Sequence, residues 1–482
     1  MTAGAAGPES RAPMTAGDDL LPLARDVLGG ERAWLVGGSL RDRLLGRPTQ
    51  DLDVLLDGDV ASAARALGRR ARAAAFELSE THGAWRIAPR GGAWQIDVVP
   101  LRAGSLEEDL GARDFTVNAI AEPLGGGDPV DPADGVADLR RRVLRMVGRD
   151  AFRADALRVL RLPRLASELE FEADAATAAA ARETSPALGA VAAERVFAEL
   201  KRLVAASSVL RGLTLMDEVE ATRVVLPELH ALHGVEQNRF HHRDVYGHTL
   251  EVLGAVQELE RDPSGLVGEE YAPAVSQLLR EPLADGLDRA SGLRWAALLH
   301  DVAKPATRGV TGEGRVIFPG HDVEGAQMAA AVLGRLRASE RLRSHVAALT
   351  RHHLRLGFLV HERPLSRRSV YRYLDACDPV AADVTLLSLA DRMATRGDNA
   401  DAAIAKHREL GRSLLGEALR WRTRGRPAPL VRGDALARDL RLRSGPGLGR
   451  LLAELAEAQF AGEIRTPAEA LALARTLAAD GD

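Results

Sequence analysis

Two periodicities divide the chain. Between Ala33 and Pro100 the apolar residues fall in short runs with β character, AWLVG, DLDVLL, AWRIAP and AWQIDVVP, around one Ala/Arg-rich helix predicted between Val60 and Ala75. After about Leu139 the strand pattern stops, and segments rich in Ala, Leu and Arg predict helices to the C-terminus. The fold class expected is therefore α+β, a small α/β head followed by an almost entirely α remainder. Residues 1–18 are small, polar and marked by Pro and Gly, which predicts a disordered leader rather than a signal peptide. Two interruptions of the helical part, Asp262 to Gly292 and Arg422 to Pro429, are expected as linkers or insertions.

Composition narrows the picture. With 482 residues, 46% of them hydrophobic, the chain is long enough for several domains at roughly 150 residues each. No apolar run approaches the roughly eighteen residues of a membrane span, so no membrane partner is expected. Lone Cys377 excludes an internal disulfide framework and a Cys-rich zinc site, and it fits a reducing, cytoplasmic location. The net charge of −4 argues weakly against a polynucleotide partner when averaged over the whole chain. Between Arg140 and Arg164, however, nine Arg face only Asp150 and Asp155, a local surplus of seven positive charges. Only Lys201, Lys304 and Lys406 of the 64 basic residues are lysines. GC-rich coding accounts for that bias, and the bidentate fit of Arg to phosphate is a possible benefit.

The first candidate chemistry lies in LVGGSLRDRLLG from Leu35, followed by DLDVLL from Asp51. A strand that enters Gly37-Gly38 and turns into a helix leaves backbone N–H groups free to hold phosphate oxygens, with Arg41 one turn in, which suits a triphosphate. Asp51 and Asp53, two apart on a strand, point to one face about 6.6 Å apart, a separation that divalent cations can bridge. Asp97 in QIDVV is either a third metal carboxylate or an outward-facing strand acid. Asp155 and Arg158, at i and i+3, are expected on one helical face, where they offer acceptors and donors suited to a Watson–Crick edge. Arg161 and Arg164 continue the series; Arg164 would lie roughly opposite Asp155, and Pro163 is expected to kink or break the helix.

These segments, with EDLGARDFTVNAIA from Glu108, DALRVLRLPRLASELEFEAD from Asp155 and ERVFAELKRLV from Glu194, make the chain resemble the nucleotidyltransferase superfamily of DNA polymerase β. Within it, the chain is most similar to the class II CCA-adding tRNA nucleotidyltransferases and poly(A) polymerases. That resemblance implies that Asp51 and Asp53 hold two Mg2+ ions, with Asp97 a candidate third catalytic carboxylate, and that Gly37, Gly38 and Arg41 contact the nucleotide's phosphates. It implies that Arg113 and Asp114 hold the ribose with support from Asn118. Asp155 and Arg158 would read C or A as a protein template, with Arg161 and Arg164 also binding nucleotide. Ala112 and Ala154 stand where the family usually has Arg and Glu, which bears on how base choice is switched.

A second constellation follows. HHRDVYGHTLEVL, LLHDVAKP, FPGHDVEGA, LTRHHLRL and LADRMA place His248, His300, Asp301, His321, His353 and Asp391 in an order that resembles the HD phosphohydrolase superfamily. His353 fits that pattern better than His352, because Leu354-Arg355 follow it. The resemblance implies one or two divalent cations, a transition metal or Mg2+, and leaves open a working phosphohydrolase or a structural metal site. The tail from Leu430, with GPGLG and GEIRTPAEAL, resembles the family's terminal tRNA-binding region.

The expected organisation is a leader over 1–18, a nucleotidyltransferase head over 19–140, a base-reading helical neck over 141–215, an HD-type body over 216–400 and a helical tail over 401–482. The expected activity is completion of the tRNA 3′ CCA from CTP and ATP, the partner being the acceptor end. A poly(A) polymerase and a CC- or A-adding enzyme share the same motifs; an HD phosphohydrolase with a non-catalytic RNA-binding head is the reading from another class.

Overall fold

The computed structural model of the chain describes residues 19–79, 83–238, 242–362, 364–396 and 400–479. The leader expected over 1–18 lies outside the described residues. The chain forms two compact units, Met1–Val191 with Thr214–Ala221, and Ala192–Leu213 with Thr222–Asp482.

The first unit is built on a six-stranded sheet: β1 (Ala33–Val36), β2 (Asp51–Leu56), β3 (Ala74–Ser79), β4 (Ala84–Ala88), β5 (Gln95–Pro100) and β6 (Ala121–Pro123), in the order β3-β4-β5-β2-β1-β6. The pairing of β2 with β5 is parallel and the other pairings are antiparallel. β2 is central because its apolar residues Leu52, Val54, Leu55 and Leu56 are all buried while Asp51 and Asp53 alternate away from them. The parallel register sets Asp53 directly beside Asp97. The helix Val60–Ala71 is capped by Asp59, which accepts from Ser62 N at 3.0 Å, and it buries Ala63, Ala64, Leu67 and Ala71. Gly68 on that face is needed for close approach, since a Cβ there would meet Ala75 Cβ at 3.0 Å.

Beyond the sheet this unit is helical, and the basic segment breaks before Arg158, between the expected helical neighbours Asp155 and Arg158, rather than at Pro163 as expected. The short helix Ala151–Ala154 ends at Asp155, whose backbone is extended, and a new helix runs from Arg158 to Leu169. Asp155 and Arg158 therefore do not share a helical face. The second helix continues through Pro163, held by buried Val159, Leu160, Leu162, Leu165 and Ala166. The part after Leu139 is almost entirely α, as expected, with only short ladders beside the helices: Val143–Leu144 pairs with Glu172–Ala173, and two further small ladders occur at Pro282–Ala284 with Leu287–Asp288 and Gly309–Val310 with Val316–Ile317. Pieces two or three residues long carry too few positions to show a period of two.

The second unit is α-helical around two helices that are buried almost all round, Arg289–Leu299 and Ala381–Ala394. Inside this core Arg289 Nε donates to Asp383 Oδ1 at 3.0 Å, both residues being buried. The segment Asp262 to Gly292, expected as a linker or insertion, is folded: it contains the helices Ser264–Val267 and Ala272–Leu279 and buries Leu266, Val267, Val275, Leu278 and Leu279. Its Gly, Pro and acidic residues end helices rather than loosen the chain. The tail helices Gly433–Asp439, Pro446–Ala461 and Pro467–Ala479 close on a small core of Leu436, Leu451, Leu455, Ala458, Ile464, Ala470 and Ala474. No helix among the described residues is long and apolar enough to cross a membrane.

Two candidate functional sites

In the first unit the chain leaves β1 and enters the helix Gly37–Leu44 through Gly37, whose φ of +71° favours glycine. A Cβ on Gly37 would lie 3.3 Å from both Asp53 Oδ2 and Arg113 Nη1, so the turn, the β2 carboxylate and the Arg113 guanidinium converge. Ser39, which sequence reasoning did not single out, fastens them: its Oγ accepts from Asp53 N at 2.9 Å and donates to Val36 O at 3.0 Å. Asp53 is raised above the ordinary carboxyl value by burial first and by neighbouring Asp97 second. A buried carboxyl raised by a neighbouring acid is one whose charged form a cation would stabilise. Asp97 lies beside Asp53, but both its oxygens are held by Arg86 Nε and Nη2 at 2.7 Å each. Arg86 escaped notice because its pairing depends on the β4–β5 register, which sets it opposite Asp97.

A chain of polar contacts continues from this point. Buried Arg41 donates Nη1 to Asn118 Oδ1 at 2.8 Å and grips Asp42 with Nε and Nη2, each at 3.0 Å. Asn118 Nδ2 donates to Asp114 Oδ1 at 3.0 Å, and Phe115 N donates to the same oxygen at 2.7 Å. Arg161 Nη2 stands 3.0 Å from Asp114 Oδ2 without hydrogen-bond alignment, and both Asp114 Oδ2 and Arg161 Nε are buried without a hydrogen-bond partner among the described residues. Burial alone would raise Asp114, yet Arg161, Asn118 and Phe115 hold it below its ordinary value, so it is a carboxylate at neutral pH. Arg113 is steadied by Asp109 Oδ1 at 3.1 Å.

The proposed base readers are placed less simply. Asp155 Oδ1 accepts from Leu157 N at 3.1 Å, in the break before the helix. Arg158 opens the helix and spends its guanidinium on the carbonyls of Ala112 at 2.8 Å, Ala151 at 3.0 Å and Arg113 at 3.1 Å. It thus straps the loop that carries Arg113 and Asp114. Arg164 is buried, pairs with Glu168 Oε2 at 2.7 Å and lies close enough to Arg41 to lower it, after the larger effect of burial. Two cations drawn this close beside a glycine turn are suited to an anion.

In the second unit the six predicted groups come from five helices and their ends. His248 lies in Val245–Arg261, His300 and Asp301 follow Arg289–Leu299, His321 opens His321–Arg335, His353 follows Glu340–His352, and Asp391 lies in Ala381–Ala394. Asp301 is the hub: His300 Nε2 is 3.1 Å from its Oδ2, His321 Nε2 is 3.4 Å and His353 Nε2 3.9 Å from its Oδ1, and His248 Nε2 lies 3.8 Å from Oδ2 and 3.0 Å from Asp391 Oδ1. The Nδ1 atoms of His300, His321 and His353 each lie on a carbonyl three residues back, Ala297, Phe318 and Thr350, at 2.8, 2.7 and 2.6 Å. Such contacts place the proton on Nδ1 and leave each Nε2 lone pair facing the carboxylate. Accordingly His300 Nε2 and His321 Nε2 are buried without hydrogen-bond partners among the described residues, and Asp301 Oδ2, with Lys304 Nζ 2.7 Å away, makes an ion pair but no aligned hydrogen bond. Acceptors facing acceptors in a buried space fit a cation between them.

Within this cluster two triads meet the spacing for metal ligation, His248-His300-Asp301 and Asp301-His321-His353, sharing Asp301. Burial lowers His353 to about 4, so it is neutral at pH 7, as a ligand must be. Burial alone would raise Asp301, but the Lys304 ammonium 2.7 Å from Oδ2 helps hold it well below the ordinary carboxyl value. His352 is turned to Arg355, whose Nε donates to its Nδ1 at 2.8 Å, which separates it from the cluster.

Comparison with known proteins bears on both sites. Residues 33–104 and 95–145 match the poly A polymerase head domain, 170–232 the probable RNA- and SrmB-binding site of polymerase A, and 245–396 the HD domain. The chain is 38% identical to an A-adding tRNA nucleotidyltransferase of Deinococcus radiodurans, over 91% of this chain and 94% of that one. It is 35% identical to a CC-adding tRNA nucleotidyltransferase of Thermus thermophilus, over 91% and 92%. It is 32% identical to a multifunctional CCA protein of Xanthomonas campestris, over 79% and 89%. The fold is that of a Thermotoga maritima CCA-adding enzyme solved with tRNA, at a TM-score of 0.60 and 20% identity over 95% of this chain and 93% of that one. A CCA-adding enzyme solved with ATP gives 0.63 at 18% identity, over 95% of each chain.

Proposed function

Because the chain belongs to the class II tRNA nucleotidyltransferase and poly(A) polymerase family with an HD domain, we propose that it completes the CCA terminus of tRNA by transferring CMP and AMP from CTP and ATP. The observation that carries this reading is the convergence of Asp53, Arg113 and the Gly37 turn within 3.3 Å of one point, with Arg41 and Arg164 close behind. Asp51 and Asp53, with Asp97 beside them, would hold Mg2+, which supplies charge neutralisation for in-line attack by the RNA 3′-hydroxyl and departure of pyrophosphate. Gly38, Arg41 and Arg164 receive the triphosphate. Arg113 and Asp114 orient the ribose, with Asp114 kept in place by Asn118 and Arg161. Asp155 and Arg158 read the base, and this requires Arg158 to leave the carbonyls of Ala112 and Arg113. We place the head at 19–140, the neck at 141–215, the HD body at 216–400 and the tRNA-binding tail at 401–482, in a protein of the cytoplasm.

Asp51→Ala and Asp53→Ala test the reading by incorporation of labelled CTP and ATP into tRNA, with circular dichroism to verify folding. Loss of incorporation in folded variants is expected; survival overturns the assignment. For the second site we propose that His248, His300, Asp301, His321, His353 and Asp391 would hold one or two divalent cations, a transition metal or Mg2+, which would supply activation of water for phosphoester hydrolysis. The buried acceptors His300 Nε2, His321 Nε2 and Asp301 Oδ2 support this. Metal analysis is expected to find less divalent metal in His300→Ala than in the parent, and an equal content overturns the ligand assignment.

A further inference from the structure

The registers of the sheet set four residues in one row across it: Asp53 on β2 beside Asp97 on β5, Asp97 opposite Arg86 on β4, and Arg86 opposite Phe76 on β3. Directly paired residues point to one face, so Phe76 lies on the face that carries the proposed metal carboxylates. It ends the row, because β3 is the outermost strand of the sheet. The apolar residues that point to the opposite face, Leu52, Val54, Ile87, Ile96 and Val98, are buried, whereas Phe76 is 45% exposed. An edge strand is ordinarily guarded by charged side chains, and here it presents an aromatic ring instead. Between the ring and the carboxylates stands Arg86, which spends Nε and Nη2 on Asp97 and leaves Nη1 outside that pair. A cation and an exposed ring in line with an active site are the two components of a single-stranded nucleic-acid track: the cation meets the backbone, and the ring stacks a base of any identity. Three strand spacings of about 4.8 Å place Phe76 about 14 Å from Asp53, which is about four nucleotides at a stacked rise of about 3.4 Å and fewer in an extended strand.

We propose that Phe76 is a base-stacking seat for the single-stranded 3′ end of the RNA substrate, within about the last four nucleotides before the reacting hydroxyl, with Arg86 alongside the backbone. The proposal rests on the head being the nucleotidyltransferase site. The row from β3 to β2 then gives the RNA end its line of approach to Asp53. Because stacking reads no base edge, such a seat accepts an end whose last base changes as nucleotides are added.

The test uses the full chain without nucleotide. Its probes are a labelled tRNA ending in CC and versions of it carrying one abasic nucleotide at each of about the last four positions, titrated by fluorescence anisotropy. Phe76→Ala is expected to weaken the intact tRNA by about tenfold, and Phe76→Leu, which keeps apolar bulk without a π face, by a similar factor. Phe76→Trp, which keeps the π face, is expected to stay within about threefold of the parent. At one abasic position the parent is expected to lose about tenfold, and there Phe76→Ala loses nothing further, because the base that meets the ring is already gone. Abasic losses equal in the parent and Phe76→Leu at every position overturn the seat, as does Phe76→Leu binding intact tRNA like the parent. Should circular dichroism show Phe76→Ala unfolded, Phe76→Leu and Phe76→Trp carry the same comparison. A Phe76→Leu variant that loses a dimer in sedimentation, while binding tRNA as the parent does, assigns the β3 edge to a second copy of the chain and contradicts the proposal. A parent that incorporates neither CMP nor AMP into tRNA overturns the nucleotidyltransferase reading and the seat with it. A parent that incorporates them, while Phe76→Leu keeps its tRNA affinity, overturns the seat alone.

Discussion

Asp53→Asn is expected to abolish nucleotide transfer while stabilising the protein in the absence of Mg2+. Asp53 stands beside Asp97 on the parallel neighbour strand, at the strand spacing of about 4.8 Å. Two carboxylates at that distance repel by about 3 kcal/mol at an effective dielectric of about 20. The Arg86 guanidinium, bound to both oxygens of Asp97, offsets part of this, and Arg113 attracts Asp53, so about 1–2 kcal/mol of net repulsion remains. Asparagine keeps the side-chain shape, and the backbone N–H bond to Ser39 Oγ is untouched. The expected gain is therefore about 1–2 kcal/mol, a rise of a few degrees in Tm. The sign follows from linkage: burial and Asp97 raise the folded-state carboxyl, so the folded state holds more protons and stability falls as pH rises through the titration. The advantage of Asp53→Asn thus shrinks at acidic pH. Thermal unfolding in EDTA and in Mg2+ is the assay, and Mg2+ should stabilise the parent more than the variant. A variant less stable than the parent in EDTA, or equal stabilisation of both by Mg2+, would refute the reasoning.

Asp383→Ala leaves buried Arg289 without its carboxylate and is expected to cost about 3–5 kcal/mol in urea unfolding, whereas the double change Arg289→Met/Asp383→Leu recovers most of it; an exposed-pair cost below about 1 kcal/mol would contradict the buried geometry. Burial lowers His345 and His407 to about 4, against about 6.5 in the unfolded chain, so the unfolded state binds more protons between those values and stability is lost as pH falls from about 6.5 towards 4. The loss is at most about 3 kcal/mol per histidine, and His345→Gln should flatten the slope of urea stability against pH; an unchanged slope would show that His345 stays accessible to protons.

What the sequence makes legible depends on how local the physics is. The Gly37-Gly38 turn and the Asp51/Asp53 pair are visible because strand, turn and helix occupy consecutive residues and alternation alone fixes their facing. The Arg86–Asp97 pair and the Ser39 clasp on Asp53 are not, since the first arises from strand register and the second from the helix start packing against β2. Asp155 and Arg158 look like helical neighbours by spacing, but the chain breaks between Asp155 and Leu157, and Arg158 finds better acceptors in the carbonyls of the Asp114 loop. In the second unit the histidines and aspartates stand out one by one against an apolar, Arg-rich background. Their common hub at Asp301 and the carbonyl locks three residues back are products of helix ends meeting in space. The whole-chain charge misleads for a related reason: opposite charges far apart in the chain cancel in the sum and hide the local surplus between Arg140 and Arg164, part of which the fold pairs with Asp114, Asp138, Glu168 and Glu183.

The most direct test offers the purified protein tRNA transcripts ending before the CC, after CC and after CCA, each with labelled CTP or ATP alone. Addition of exactly the missing nucleotides is the predicted result: CMP twice to the first, AMP once to the second, and nothing to the third. Repeated AMP addition to any RNA, or incorporation confined to one of the two nucleotides, would contradict it.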